Sequence, residues 1–265
     1  MGAGKESWAA GDAYEAYMGR WSRRVARAFV EWLGAKPAAH WLDVGCGTGA
    51  LTSAICQLCR PASVVACDPS EPFVKDARGR IVDPRVSFAV TGAHDLPTRE
   101  GGFDAVVSGL VLNFVPDPAR AVASMRGRLR AGGCVAAYVW DYAGRMEFLR
   151  CFWEEAVALD PGAAELDEGR RFPLCRPEAL ASLFRAAGLS HVETRALESS
   201  TCFEDFGDYW EPFLGGTGPA PTYAASLEPS RREALRQRLQ QRIRPEADGQ
   251  IHLVARAWAV RGFSS

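Results

Sequence analysis

Between Trp41 and Leu58 the chain changes periodicity in a way that few folds accommodate. Trp41 to Val44 is a short, mostly apolar run, the pattern of a strand covered on both faces. It enters Gly45-Cys46-Gly47-Thr48-Gly49, and helical spacing begins at Leu51. Glycines at that point let the backbone turn tightly and let a ligand approach without a Cβ in the way. The helix start beyond offers free N–H groups. Gly45-x-Gly47-x-x-Ala50 loosely fits a dinucleotide-binding turn, and Asp68 ends the next strand where a carboxylate can hold ribose hydroxyls. Two details depart from that fingerprint. The third glycine, Gly49, falls one residue early, and Asp43 stands two residues before the first.

The same alternation continues. Strands are expected at 64–66, 86–90, 103–108 and 134–140, the last after a turn at Gly132-Gly133, with helices over 51–58, 72–78 and 119–129. Short strands alternating with helices predict an α/β fold, a mostly parallel sheet with helices on both faces. In front, Tyr14, Tyr17, Met18, Trp21, Val25, Phe29 and Trp32 recur at steps of three or four, which predicts an amphipathic helix over 12–33. After Asp141 the pattern loosens. We expect a helix at 146–159, a loop at 160–176, a helix at 177–187 begun by Pro177 and Glu178, and a strand at 191–202. A short aromatic helix at 203–214, a Gly-Pro loop at 215–221, a charged helix at 230–242 and a strand at 251–260 complete the chain.

With 265 residues the chain suits one large domain or two small ones. Its net charge of -1 argues against a nucleic-acid or anionic-membrane surface. No window is apolar for long enough to span a membrane, and the N-terminus has no secretory signal pattern. Gly2 would suit myristoylation, but Glu6 occupies the position of the required hydroxyl residue. The eight cysteines are scattered through apolar runs, as reduced thiols of a cytoplasmic protein would be. Cys56 and Cys59 form a C-x-x-C pair with no further ligands nearby, so no metal is expected.

The run LDVGCGTG resembles the first motif of class I S-adenosylmethionine-dependent methyltransferases, and ACDPS at 66–70 resembles their ribose-binding motif. GAHDLP at 92–97, FDAVVSGLVLNFVPDPARAV at 103–122 and LRAGGCVAAYVW at 129–140 resemble the next three, in the family's order. YEAYMGRWSRR and FEDFGDYWEPFLGGTGPAP are similar to the small-molecule branch that includes ubiquinone and menaquinone biosynthesis enzymes. The resemblance implies a single Rossmann-like domain with a seven-stranded sheet, an antiparallel last strand, an N-terminal helix and inserted lid elements. Residues 36–142 would form the cofactor core, and 1–35, 143–176 and 203–249 the lid and substrate elements. It implies S-adenosyl-L-methionine as cofactor, held by Asp43, Gly45, Cys46, Gly47, Gly49, Asp68, Pro69, Ala93, His94, Ser108 and Leu110. Asp43 would lie near the cofactor's amino group, Asp68 would take the ribose, and Ala93-His94 would lie by the adenine. Members commonly carry Asp where this chain has Gly92, which leaves the adenine amine to His94, Asp95 or water. On their own, Asp43 could cap a turn and Asp68 the next helix.

The chemistry implied is in-line displacement, in which a nucleophile is brought up behind an activated methyl and water is excluded. The Asn/Asp-Pro-Pro-Tyr motif that cradles planar amines is absent after strand four, where Ser108-Gly109-Leu110 stands, and no Pro-Cys pair marks an attacking thiolate. A small, partly apolar acceptor remains. Tyr14, Tyr17, Trp21 and Trp210 are candidates to enclose it, with Asn113 and Asp141 as polar groups at strand ends. No residue stands out as a catalytic base, and the oligomeric state is not legible. A non-catalytic binding protein for the cofactor or a metabolite, or an NAD(P)-dependent oxidoreductase, are the rival readings.

Overall fold

The computed structural model describes residues 18–215 and 218–264. Seven strands form one sheet in the order β3-β2-β1-β4-β5-β7-β6. In chain order the strands are β1 (His40–Val44), β2 (Ser63–Asp68), β3 (Val86–Val90), β4 (Phe103–Gly109), β5 (Leu129–Trp140), β6 (Ser190–Phe203) and β7 (Ile251–Phe263). β1 pairs in parallel with β2 and β4, β2 with β3, and β4 with β5, whereas β7 runs antiparallel to β5. The helices are α1 (Arg20–Leu33), α2 (Ala50–Cys59), α3 (Glu71–Arg80), α4 (Pro118–Arg126), α5 (Glu147–Leu159), α6 (Glu168–Arg171), α7 (Pro177–Ala186), α8 (Phe206–Trp210), α9 (Pro219–Ser226) and α10 (Pro229–Arg242). The expected Rossmann-like sheet with its antiparallel last strand is present.

The chain divides into two compact units. One holds Ser22–Trp140, Leu174–Leu197 and the residues from Ala257 on; the other holds Asp141–Pro173, Glu198–Arg256 and the described residues up to Trp21. In the first, Trp41, Leu42, Val64, Ala66, Val106, Val107, Val135 and Ala136 are buried along the central strands, which is why these runs are almost unbroken by polar residues. Phe29 of α1 packs on Tyr138, ring centroids 4.6 Å apart. The C-terminal end of α1 is held by Arg261, which donates to the carbonyls of Trp32 and Leu33, lies over the Trp32 ring at 4.8 Å, and pairs with Glu193 at 3.0 Å. A cation there satisfies terminal carbonyls and the negative end of the helix dipole.

The second unit has an aromatic core. Phe148, Phe152, Phe203, Tyr209 and Phe213 are buried and in mutual ring contact, as in the Phe152–Phe213 pair at 4.4 Å. The buried Tyr209 hydroxyl donates to the Phe148 carbonyl at 2.9 Å. Polar support comes from Asp167, which accepts from Arg150 at 2.7 Å, and from Glu168, which accepts from the Trp153 indole.

Three elements differ from the sequence expectation. β5 begins at Leu129 instead of Cys134, because its pairing with β4 shifts register between Phe103 and Ala105 and so carries the strand through Gly132-Gly133. Glycines at that point make a bulge and not a strand end. The loop at 160–176 contains the short helix α6, whose start Asp167 caps by accepting from the Gly169 N–H at 2.8 Å. Finally, the loop expected at 215–221 gives way at Pro219 to helix α9.

Candidate cofactor site

The glycine turn between β1 and α2 sits against the carboxyl end of β2, since the N–H groups of Gly45 and Cys46 both donate to the Cys67 carbonyl, at 2.7 and 3.0 Å. Gly45, Gly47 and Gly49 all have positive φ, at 76°, 52° and 91°. Their surroundings differ. A Cβ on Gly45 would stand 2.6 Å from Val111 Cγ2, and one on Gly49 would stand 2.6 Å from Ile81 Cδ1. A Cβ on Gly47 would meet nothing within 4 Å. Packing inside the protein therefore requires Gly45, whose neighbour is the stiff, branched Val111; at Gly49 only the end of the Ile81 side chain would have to move, and Gly47 borders open space.

Two carboxylates flank this turn. Asp43 on β1 is wholly buried; its Oδ2 accepts from the Thr52 hydroxyl at 2.6 Å, and its Oδ1 has no partner. Asp68, at the end of β2, is also buried, and accepts from the Gly47 N–H at 3.0 Å and the Ser70 N–H at 2.8 Å. Asp68 thus fastens the turn to the start of α3 as well as presenting its remaining lone pairs. Burial pushes Asp43 up to about 7; the Thr52 hydroxyl opposes this and the nearby Asp68 charge adds to it. Burial also raises Asp68, against its two backbone hydrogen bonds. No arginine or lysine among the described residues forms an ion pair with either acid. Burial keeps the neighbouring thiols neutral, with Cys46 far above its ordinary value and Cys67 pushed up to about 12.

The remaining predicted positions fall around these groups in varied ways. Ser108 is buried and donates to the Val44 carbonyl at 2.8 Å, locking β4 to β1. Leu110 adopts φ 62°, rare for a residue with a Cβ, and its N–H donates to the Tyr138 carbonyl at 2.7 Å. Asn113 lies in the turn after β4, with its amide nitrogen buried and unpartnered. Pro69 links Asp68 to Ser70, the N-cap of α3, whose side chain makes no capping bond. Ala93 is half-buried and His94 exposed, in a loop closed by the Thr91 hydroxyl donating to the Asp95 carbonyl at 2.6 Å.

Of the acceptor candidates, Asn113 belongs to the first unit, Trp21, Trp210 and Asp141 belong to the second, and Tyr14 and Tyr17 lie outside the described residues. Trp21 is enclosed by Phe148 and Phe203, at 4.8 and 5.7 Å, and Trp210 lies against Phe213 at 6.0 Å. Asp141 is buried and already engaged, accepting from Arg256 at 2.6 Å and from the Arg145 N–H at 2.9 Å. Ile81 and Thr52 were missing from the sequence reading. Of these only Thr52 left a trace, as a lone hydroxyl on the buried face of an apolar helix. Among the described residues, no group of three or more His, Cys, Asp or Glu side chains is gathered as a metal ion would need, and no helix is long and apolar enough to cross a membrane.

The comparisons with known proteins agree on the family. A model described as "Methyltransferase domain" matches residues 42–137, the span from β1 to β5. The chain is 31% identical over 188 residues to a demethylmenaquinone methyltransferase of Roseiflexus, covering 65% of this chain and 77% of that protein. The chain belongs to the S-adenosylmethionine-dependent methyltransferases. This methyltransferase is also 30% identical over 184 residues to a malonyl-[acyl-carrier protein] O-methyltransferase of Herminiimonas arsenicoxydans, covering 69% of this chain and 64% of that one. It spans only about a third of the length of two other curated relatives, which are uncharacterized proteins. Among solved structures, phosphoethanolamine N-methyltransferase 2 of Haemonchus contortus shares the fold with a TM-score of 0.58 at 18% identity, over 96% of this chain and 56% of that one. The cofactor is S-adenosyl-L-methionine. The residues fit it: the partnerless Asp43 Oδ1 and the uncompensated pair Asp43–Asp68 call for a cationic ligand, and the open side of Gly47 gives it room.

Proposed function

We propose that this methyltransferase moves a methyl group to a small, partly apolar acceptor. One observation carries the reading: the glycine turn is walled by Val111 and Ile81 at its first and third glycines and open at Gly47, between two buried acids that pair with no cation among the described residues. Bound there, S-adenosyl-L-methionine supplies a methyl carbon already activated on a sulfonium. The protein's own work is then to hold, align and dry. Asp68 accepts ribose hydroxyls on lone pairs not used by Gly47 and Ser70. Asp43 receives the ammonium, the Gly45–Gly49 backbone borders the methionine part with Cys46 facing inward, and Pro69, Ala93 and His94 border the adenosine. Ser108 and Leu110 form the end of β4 that limits the pocket.

The acceptor falls to the elements outside the nucleotide core, 1–35, 143–176 and 203–249, rich in aromatic side chains, with Tyr14, Tyr17, Trp21 and Trp210 as candidates. Asn113 is the strongest polar candidate, because its amide nitrogen lacks a partner. Asp141 is better placed to brace its own unit through Arg256. Relatives named as O-methyltransferases direct the acceptor screen first to carboxyl and hydroxyl compounds. The free thiols of Cys46, Cys56, Cys59, Cys67, Cys134, Cys151 and Cys202 favour a reducing, cytoplasmic setting. The net charge of -1 speaks against nucleic acid as acceptor.

The test is turnover. The protein with S-adenosyl-L-methionine and fractionated metabolite extract should form S-adenosylhomocysteine, dependent on one fraction. Tight cofactor binding with no acceptor-dependent turnover would favour the binding-protein reading.

A further inference from the structure

Among the described residues, Asp43 faces only neutral or acidic groups. From α2 come the Thr52 hydroxyl and, farther along, Cys56; from β2 come Asp68 and Cys67; from the turn comes Cys46. β4 brings Val107 alongside in register, and the nearby Ser108 hydroxyl is spent on the Val44 carbonyl. A wholly buried carboxylate with one empty oxygen and a second acid beside it is unstable as an anion, because hydrogen bonding from Thr52 alone does not replace the water it has lost. A ligand that brings its own cation changes that balance.

We propose that binding of the cofactor at this turn expels a proton from Asp43. In the protein alone Asp43 is the neutral acid; when the ligand's ammonium group is brought against Oδ1, the carboxyl O–H bond breaks, the proton passes to buffer, and a carboxylate–ammonium pair remains. The inference rests on reading the glycine turn as the cofactor site, and it makes affinity pH-dependent below neutrality. With Asp43 half-protonated near 7, binding at pH 6 should release close to one proton. Affinity should then rise close to tenfold per pH unit between pH 5 and pH 6. Asp68, the other raised acid, contributes in the same direction, so the two must be separated by substitution.

S-Adenosylhomocysteine is the probe, since it carries the ammonium and cannot react. Isothermal calorimetry at pH 6 in buffers of different ionisation enthalpy counts the protons released. The expected result is close to one proton for the wild type and a loss of most of that release in Asp43→Asn, with a flattened affinity profile from pH 5 to 6.5. Wild-type binding with no buffer dependence, or an Asp43→Asn variant that releases as many protons, overturns the proposal while leaving the cofactor site standing. Failure of the wild type to bind the probe removes the cofactor reading and the proposal with it. If Asp43→Asn does not fold, the wild-type pH profile decides alone: a flat affinity from pH 5 to 6 overturns the inference.

Discussion

Replacing Gly45 and Gly47 in turn by alanine separates a glycine the protein needs from one its ligand needs. Both residues are left-handed, so either alanine carries roughly 1–2 kcal/mol of backbone strain. Only at Gly45 does the new methyl meet a wall, 2.6 and 2.8 Å from the two Val111 methyls. Overpacking of that kind adds about 1–3 kcal/mol. Gly45→Ala should therefore lose about 2–5 kcal/mol, a fall in Tm of roughly 5–15 °C for a chain of this size. Gly47→Ala should lose only the strain, with a fall of roughly 2–6 °C. Cofactor affinity sorts them the other way. Gly47→Ala, folded and nearly as stable as the wild type, should bind S-adenosylhomocysteine at least about tenfold more weakly, because its methyl occupies the space left for the ligand. The double variant Gly45→Ala/Val111→Ala should recover part of the loss, and the double-mutant cycle measures the clash itself. Unchanged affinity in Gly47→Ala would refute the placement of the ligand. Equal stability of the two alanine variants would refute Val111 as a packed wall.

Other outcomes follow from the same geometry. Asp68→Ala removes a charged acceptor of ribose hydroxyls worth roughly 1.5–3 kcal/mol per bond, so calorimetry should show at least about tenfold weaker cofactor binding; because Asp68 also holds the Gly47 N–H, the variant's glycine turn should exchange amide hydrogens faster. Without cofactor, Asp43 holds a proton that the unfolded chain has already lost between pH 3.8 and about 7, so its contribution to stability falls as pH rises through that window, by up to about 4 kcal/mol; urea titrations should show the wild type losing stability relative to Asp43→Asn from pH 4 to 7, and a constant difference would sink the assignment. A thermal-shift panel should show stabilisation by S-adenosyl-L-methionine and S-adenosylhomocysteine, roughly 2.7 kcal/mol at 100 Kd, and none by NAD or NADP. Arg256→Ala leaves Asp141 buried without its partner and should destabilise by about 3 kcal/mol in urea unfolding.

The sheet was readable from sequence where burial is two-sided, because such strands cannot hide polar residues. There β1 and β4 are off by one residue, while β3, a partly exposed edge strand, begins and ends where its apolar run does. Where glycine and proline were read as a loop at 215–221, the reading failed. Pro219 and Pro221 lie in the first turn of α9, where the missing N–H groups have no helical partner to lose, so what looked like a loop is a helix start. The acids of the site were legible because the turn they flank has a recognisable order. What surrounds them was not. Val111 stands 66 positions after Gly45, and no local pattern announces that its methyls fill the space behind that glycine. Nor can a sequence show that Asp43 has one oxygen bonded and one empty, since that depends on which donors the fold brings within reach.

The two walls behind the turn bear on its portability. Lifting the seven residues Asp43–Gly49 into another α/β scaffold would carry over the bend and the acid, but not the side chains that back two of its glycines. A host with a larger residue than Val111 after its fourth strand would collide with the turn, and one with a smaller residue would leave it a void to wander into. The same holds for Ile81, at the far end of α3. The transferable unit is therefore a set of three separate segments fitted to one another, and a graft or a chimera breakpoint that divides the set should be judged by residues 81 and 111 as much as by the motif.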